Sequence, residues 1–180
     1  MTATDEALMI AFCRGEAKAF DELLQRYRTP LFSTLFRLVG DRALAEDLFQ
    51  ESFLRVIRHA GRYDPEQKFS GWLYRIARNL SVDALRQRGV RQEQALDEDH
   101  QDGNPQPERV LAQKEQGQAI LRALGLLPLE QREVFVMREF SGLSFKEIAE
   151  VTRSPLNTVL GRMHLAVKKL RASLAQHAEA

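Results

Sequence analysis

Apolar residues recur three and four positions apart along most of the chain, and stretches in which apolar and polar residues alternate are missing. This spacing is typical of amphipathic helices and predicts an all-α protein. In the first half it predicts four helices, at about residues 5–15, 16–39, 41–60 and 72–88. Pro30 lies inside the second of them, where we expect a kink or a break. The third helix is expected to bury Phe49, Phe53, Val56, Ile57 and Ala60.

The helical pattern disappears between Arg91 and Pro107, where acidic residues, glycine, asparagine and proline leave almost nothing to bury. Such a composition predicts a solvated, flexible segment. Helical periodicity returns at about residues 108–124 and again at 129–140. We therefore expect an all-α fold of two small helical domains, 1–90 and 108–180, joined by a flexible acidic linker, 91–107.

The charge changes along the chain although the formal net charge is only +1. Residues 97–118 carry two basic and six acidic residues, whereas the segments on either side have a small basic excess. The lone Cys13 excludes an internal disulfide framework, and the four histidines share no metal-ligand spacing, so we expect no metal and no cofactor. The acidic start and the lack of a long apolar run predict a cytoplasmic protein without a signal peptide or a stable membrane association.

Two short helices separated by a tight break are predicted in the second domain. Ser144 and Glu147 have the spacing of a capping box, and Ser154–Pro155 is a strong helix start after the break at Arg153. Between Arg153 and Arg171 there are five Lys or Arg and no acidic residue. The pattern predicts a helix-turn-helix that binds the phosphate backbone of DNA. A helical hairpin with a solvated basic face is the alternative.

A second basic surface is predicted on the fourth helix. Arg75, Asn79, Asp83 and Arg86 follow one another at helical spacing, and Arg78 lies beside them. Aromatic residues mixed with a cation precede this surface: Tyr63, Lys68, Phe69, Trp72 and Tyr74. Aromatic rings beside a basic groove are how proteins hold the unstacked bases of single strands. The alternative is that Phe69 and Trp72 only fill the space between helices.

The third helix has a polar face opposite its apolar stripe. That face is made of Glu46, Asp47, Gln50, Glu51 and Leu54. Judged from spacing alone, a polar face of this kind is more often a solvated surface than a binding site.

Taken together, four segments resemble the extracytoplasmic-function class of the bacterial sigma-70 family, the promoter-recognition subunits of RNA polymerase. Residues 47–53 (DLFQESF) are similar to a signature of the first sigma domain, and residues 69–79 (FSGWLYRIARN) are similar to the stretch that follows it. Residues 127–135 and 144–166 are similar to the C-terminal sigma domain. The resemblance covers almost the whole chain.

The resemblance implies a non-enzymatic initiation factor that binds core RNA polymerase through the clamp helices and flap, binds promoter DNA, and is held by an anti-sigma factor. The residues that it implies for docking on the polymerase are Asp47, Gln50, Glu51 and Leu54. Those for the −10 promoter element are Tyr63, Lys68, Phe69, Trp72, Arg75, Arg78, Asn79, Asp83 and Arg86. Those for the −35 element are Ser154, Asn157, Thr158, Arg162, His164 and Lys168.

The second helix of the helix-turn-helix departs from the family pattern at Leu160, Gly161 and Leu165, where polar or basic residues are usual. Leucine cannot hydrogen-bond a base edge, although it can contact a thymine methyl group. We expect weaker or different reading of the −35 element, or a protein contact at these leucines. A stand-alone helix-turn-helix regulator with a sensor domain and a protein–protein adaptor are the alternative functions.

Overall fold

The computed structural model describes residues 3–96 and 111–178. Within these ranges the ordered elements are helices, as the periodicity predicts, together with a short 3₁₀ turn at Ala60–Arg62. The helices are α1 (Asp5–Cys13), α2 (Ala17–Val39), α3 (Arg42–His59), α4 (Phe69–Leu96), α5 (Leu111–Gly125), α6 (Leu129–Phe140), α7 (Phe145–Thr152) and α8 (Leu156–Ala178).

Helices α1 to α4 form the N-terminal bundle. The side chain of Thr4 caps α1, and that of Asp41 caps α3 by accepting a hydrogen bond from the Leu44 N–H at 2.9 Å. Gly40 ends α2 in the left-handed conformation, with φ of 72°. The centre of this bundle is filled by fully buried side chains from all four helices: Met9, Leu23, Leu31, Leu35, Val56, Phe69 and Leu73.

Three predictions for this half are wrong. The break predicted at Pro30 is absent, because only one intrahelical hydrogen bond is lost there and both flanks of helix α2 are packed; the kink stays a prediction. Ile57 is 44% exposed and does not belong to the core. Helix α4 continues to Leu96, so residues 91–96 of the predicted linker are helical; the rest of that linker, 97–107, lies outside the described residues.

Helices α5 to α8 form the C-terminal bundle, which buries Leu124, Val134, Met137, Ile148, Val159 and Ala166. The predicted capping box is confirmed: the Ser144 hydroxyl accepts from the Glu147 N–H, and the Glu147 carboxylate accepts from the Ser144 N–H at 2.8 Å. Arg153 makes the break between α7 and α8 in the left-handed conformation, with φ of 52°. The predicted helix-turn-helix geometry is therefore present in α7 and α8.

The two bundles pack against each other, with α6 on α2 and α7 on α4. The hydroxyl oxygens of Thr34 and Ser141 lie 2.8 Å apart across this contact. Arg132 on α6 donates a hydrogen bond of 2.8 Å to the backbone oxygen of Leu38, at the end of α2. This packing decides which of the candidate surfaces remain open to a partner.

Candidate nucleic-acid interface

The polar face of α3 is open to solvent, as its spacing predicts. Asp47, Gln50 and Leu54 are exposed. Glu51 is half-buried, and its carboxylate accepts hydrogen bonds from Arg55 at 3.0 Å and from Arg58 at 3.3 Å. This face therefore offers an acid, an amide and an apolar side chain to a partner, while Glu51 is already paired within the helix.

A groove of about 520 Å³ lies beside this face, between α2 and α3. Its floor is aromatic: the rings of Phe32 and Phe36 stack with centroids 6.3 Å apart, and Phe49 closes the side from α3. Gln50 and Arg28 are among the polar residues that line it. This groove was not predicted from the sequence. The available signal was that Phe32 and Phe36 lie four residues apart, off the apolar stripe of α2.

The face of α4 predicted to bind DNA is partly open. Asn79, Asp83 and Arg86 are exposed and follow one another along the helix, whereas Arg75 and Arg78 are half-buried. An exposed amide and guanidinium at this spacing can contact bases and phosphates of one strand.

The aromatic residues before α4 form a packed cluster. Phe69 has no exposed surface, and its ring meets those of Tyr27, Tyr63 and Trp72 edge-on at 5.4, 6.2 and 6.2 Å. Tyr63 is also buried: burial raises the pKa of its hydroxyl to about 12, and that hydroxyl donates to the Gln67 backbone oxygen at 2.7 Å. The ring of Phe69 is therefore a core side chain in this structure, which supports the alternative that it fills the space between helices, and its assignment to base contact stays a prediction. Trp72 is half-buried.

Acidic groups of the C-terminal bundle contact the cations of α4. The Arg78 guanidinium binds both carboxylate oxygens of Glu133, with Nε–Oε2 of 2.8 Å and Nη2–Oε1 of 3.0 Å. The Glu133 side chain is only 1% exposed. Glu133 was not predicted from the sequence, because a single acidic residue on an amphipathic helix gives no signal until its partner is known.

A second ion pair joins the Lys68 ammonium to the Glu147 carboxylate at 2.8 Å. Burial raises the pKa of Glu147, but the hydrogen bonds from Lys68 and from the Ser144 N–H outweigh burial and lower that pKa to about 2. The same carboxylate raises the pKa of Lys68. Glu147 thus both caps α7 and holds a cation of the N-terminal bundle.

Helix α8 presents Asn157, Thr158, His164 and Lys168 to solvent, as predicted for a recognition helix. Leu160 and Leu165 are 42% and 45% exposed on the same helix.

Arg162 of α8 is half-buried, and its guanidinium donates to the Ser154 hydroxyl at 3.0 Å. The structure therefore joins two of the predicted −35 residues to each other, and Arg162 stabilises the turn that precedes α8.

Of the helices in residues 3–96 and 111–178, none combines the length and the hydropathy needed to cross a bilayer.

Comparison with known proteins matches both bundles to one family. The family described as Sigma-70 region 2 matches residues 23–91, and the one described as Sigma-70, region 4 matches residues 117–170. The RNA polymerase sigma-H factor of Pseudomonas aeruginosa is 31% identical, over 94% of this chain and 93% of that protein. The ECF sigma factor SigW of Bacillus subtilis is 30% identical, over 89% of this chain and 91% of that protein.

The ECF sigma factor SigE of Mycolicibacterium smegmatis is 37% identical over 88% of this chain, which spans 63% of that longer protein. Among solved structures, CnrH in complex with the cytosolic domain of CnrY superimposes with a TM-score of 0.76 and 26% identity, over 96% of this chain and 97% of that one. The sigma factor RpoE of Bartonella quintana, bound to the anti-sigma factor NepR, gives a TM-score of 0.73 and shares the fold at 22% identity.

The region 2 match lies in the N-terminal bundle and the region 4 match lies in the C-terminal bundle, in the order that the sequence predicts. A relative of more than 30% identity covers nearly the whole chain. The chain belongs to the sigma-70 family, in its ECF class, and is a non-enzymatic sigma factor of RNA polymerase that acts in transcription initiation.

Proposed function

We propose that the exposed face of α3, with Asp47, Gln50 and Leu54, docks on the clamp helices of core RNA polymerase. The observation that carries this proposal is the aromatic groove beside that face, because Gln50 belongs both to the exposed face and to the lining of the groove. A helix of the partner can place apolar side chains on Phe32 and Phe36 while Asp47 and Gln50 contact its polar residues. Glu51 contributes by orienting Arg55 and Arg58.

Co-elution of the purified protein with core RNA polymerase in gel filtration tests this docking. We expect the double variant Asp47→Arg and Gln50→Ala to weaken the complex at least about tenfold, since it reverses one charge and removes one hydrogen-bonding group at the centre of the contact. A matched control, Asp21→Arg with Gln25→Ala, changes the same residue types on the exposed part of α2 and should leave co-elution unchanged. Equal co-elution of the two double variants refutes the assignment.

We further propose that the N-terminal domain, 1–90, binds the −10 element and that the C-terminal domain, 108–180, binds the −35 element. For the −10 element, the exposed Asn79, Asp83 and Arg86 support strand contact directly, and the half-buried Arg75 and Arg78 are available when the C-terminal bundle moves away. Lys68, Trp72 and Tyr63 flank this surface, where Lys68 is exposed and Trp72 is half-buried.

For the −35 element, α8 is proposed to enter the major groove with Asn157, Thr158, His164 and Lys168 toward the DNA. The exposed Leu160 and Leu165 support apolar contact with thymine methyl groups there. Ser154 and Arg162 position the start of the helix through their hydrogen bond.

An anti-sigma factor is the proposed regulatory partner, because the similar CnrH and RpoE structures are complexes with CnrY and with an anti-sigma factor. The proposed location is the cytoplasm, where core polymerase and promoter DNA are found. Residues 97–107, which join the two domains, remain proposed as a flexible acidic linker on composition alone.

A further inference from the structure

Helix α4 begins without a capping side chain of its own. The Lys68 backbone oxygen accepts the first hydrogen bond of the helix, from the Trp72 N–H at 3.2 Å, so Lys68 occupies the position before the first turn. A capping side chain at that position accepts from the free N–H groups of the first turn, and an ammonium group has no acceptor to offer. An acceptor for the start of α4 therefore has to come from another part of the chain or from water.

Glu6 of α1 supplies this acceptor from 63 positions away. Its Oε1 accepts a hydrogen bond of 3.1 Å from the N–H of Phe69, the first residue of α4. Glu6 is half-buried. A carboxylate in this place also lies at the positive end of the helix dipole, which favours negative charge. Glu6 thus caps a helix to which it does not belong.

The same short helix contacts the other end of the α3–α4 connection, residues 60–68. The Cys13 thiol, at the end of α1, donates to the Ala60 backbone oxygen at 3.3 Å. Between the two contacts, Leu8 and Met9 are buried and anchor α1 in the core of the N-terminal bundle. Both ends of the connection are therefore held by one packed helix.

Asp5 fixes α1 on α2 beside the aromatic cluster. Its carboxylate accepts from the Tyr27 hydroxyl at 2.5 Å and from the Arg26 guanidinium at 2.6 Å. The Tyr27 ring in turn meets the Phe69 ring edge-on, with centroids 5.4 Å apart. Phe69 is therefore held twice from the first turn of α1, once through its N–H and once through its ring.

The connection is folded on its own backbone and exposes its polar residues. The Tyr63 hydroxyl donates to the Gln67 backbone oxygen at 2.7 Å, and the Gln67 N–H donates to the Asp64 backbone oxygen at 3.0 Å. Residues 64–68 are exposed. Because the Tyr63 ring packs on Phe69, the shape of this exposed part depends on how the start of α4 is held.

We propose that Glu6 is a positioning residue for promoter binding: by capping α4 it sets the shape in which the α3–α4 connection presents Tyr63 and Lys68 to the −10 element. Glu6 acts through the connection and not by touching DNA. A surface that is already ordered binds more tightly, because binding does not have to order it. The inference rests on the proposed −10 function and adds the residue that keeps this part of the chain ready for a strand.

The lone tryptophan of the chain, Trp72, reports on this packing. Its ring centroid lies 5.2 Å from that of Tyr63 and 6.2 Å from that of Phe69. In Glu6→Ala we expect acrylamide to quench its fluorescence about twofold more strongly, because the cluster opens more often. The Phe69 amide should exchange with deuterium at least about tenfold faster, because its acceptor is gone.

Two further variants make this test specific. Glu6→Gln keeps a side-chain oxygen that can accept from the Phe69 N–H, so it should restore most of the protection. Glu16→Ala removes an identical side chain at an exposed position where it makes no capping hydrogen bond, and should match wild type. Equal exchange of the Phe69 amide in Glu6→Ala and wild type overturns the proposal.

The effect on strand opening is measured with the complete polymerase. Each variant is combined with core polymerase on a genomic fragment that the wild-type complex transcribes in a run-off assay, and permanganate reactivity of thymines measures opening. We expect Glu6→Ala to reduce opening at least about fivefold at unchanged co-elution with core polymerase, and Glu6→Gln to restore it. A parallel loss of co-elution would mean that the whole bundle is destabilised, and overturns the positioning role; so does unchanged opening.

Failure of the proposed function gives a different result. Asn79→Ala and Arg86→Ala alter the exposed face of α4 and leave both ends of the connection as they are. If these variants reduce opening and Glu6→Ala does not, the −10 assignment stands and the positioning role fails. If Glu6→Ala alone reduces opening, the positioning role stands and the assignment of the α4 face to the −10 element fails.

Discussion

At the scale of single residues, Glu147 shows how one side chain serves two purposes. Its carboxylate accepts from the Ser144 N–H within α7 and from the Lys68 ammonium of the other bundle, both at 2.8 Å. The first contact was predicted because a capping box has a fixed spacing along the sequence. The second was not, because the two residues are separated by 79 positions.

The lowered pKa of Glu147 gives a pH-dependent contribution to stability. Its pKa is about 2 in the folded protein, against an ordinary value of 4.5. The contribution is therefore complete above pH 4.5 and is lost as the pH falls toward 2. We expect wild type to be more stable than Glu147→Gln at neutral pH, and the difference in unfolding free energy, measured with urea, to shrink over this range. Glutamine still suits a capping box, so α7 remains capped in the variant.

The exposed Glu139→Gln serves as the control and should show no such convergence with wild type. A difference between wild type and Glu147→Gln that stays constant down to pH 2 contradicts the lowered pKa.

At the scale of the helices, two glycines illustrate how backbone geometry decides the effect of a side chain. Gly40 ends α2 with φ of 72°, whereas Gly161 lies inside α8 with helical backbone. A Cβ atom at either position would meet no neighbour within 4 Å. A Cβ atom therefore has room at both positions, and only the backbone conformation differs between them.

We expect Gly161→Ala to raise the unfolding free energy by about 1 kcal/mol, because alanine favours a helix interior. Gly40→Ala should lower it by about 1 to 2 kcal/mol, because an L-residue is strained in the left-handed conformation. Urea unfolding monitored by circular dichroism measures both. Changes of the same sign in the two variants would contradict this account.

At the scale of the whole molecule, Arg132 joins the two bundles through hydrogen bonds to three backbone oxygens. It donates to Leu38 of the N-terminal bundle at 2.8 Å, and to Gly125 and Leu127 of its own bundle at 3.0 and 3.1 Å. Burial lowers its pKa. A guanidinium in this position stabilises the packing of α6 on α2 without using any acidic partner.

Replacing Arg132 by methionine removes the hydrogen bonds and keeps much of the apolar stem. We expect the radius of gyration, measured by small-angle X-ray scattering, to increase relative to wild type because the bundles separate more often. Arg138→Met is the control, since Arg138 stays within its own bundle, on the Leu143 oxygen and the Phe145 ring. An unchanged radius for Arg132→Met would show that this residue does not hold the bundles together.

The sequence by itself determined what depends on neighbours along the chain. The helices, the capping box at Ser144, the helix-turn-helix and the exposed face of α3 follow from periods of three and four residues and from fixed capping distances. The family resemblance followed from motifs within the same segments.

Only the tertiary structure decided what depends on residues far apart. It buried Phe69 among three rings, exposed Ile57, made a groove from Phe32 and Phe36, and placed Glu133 on Arg78, 55 positions away. The physical reason is that helical periodicity shows which face of a helix is apolar or charged, but not which face of which other helix it meets. The net charge along the chain therefore gave no sign that acids of the C-terminal bundle pair with Lys68 and Arg78 of the N-terminal bundle.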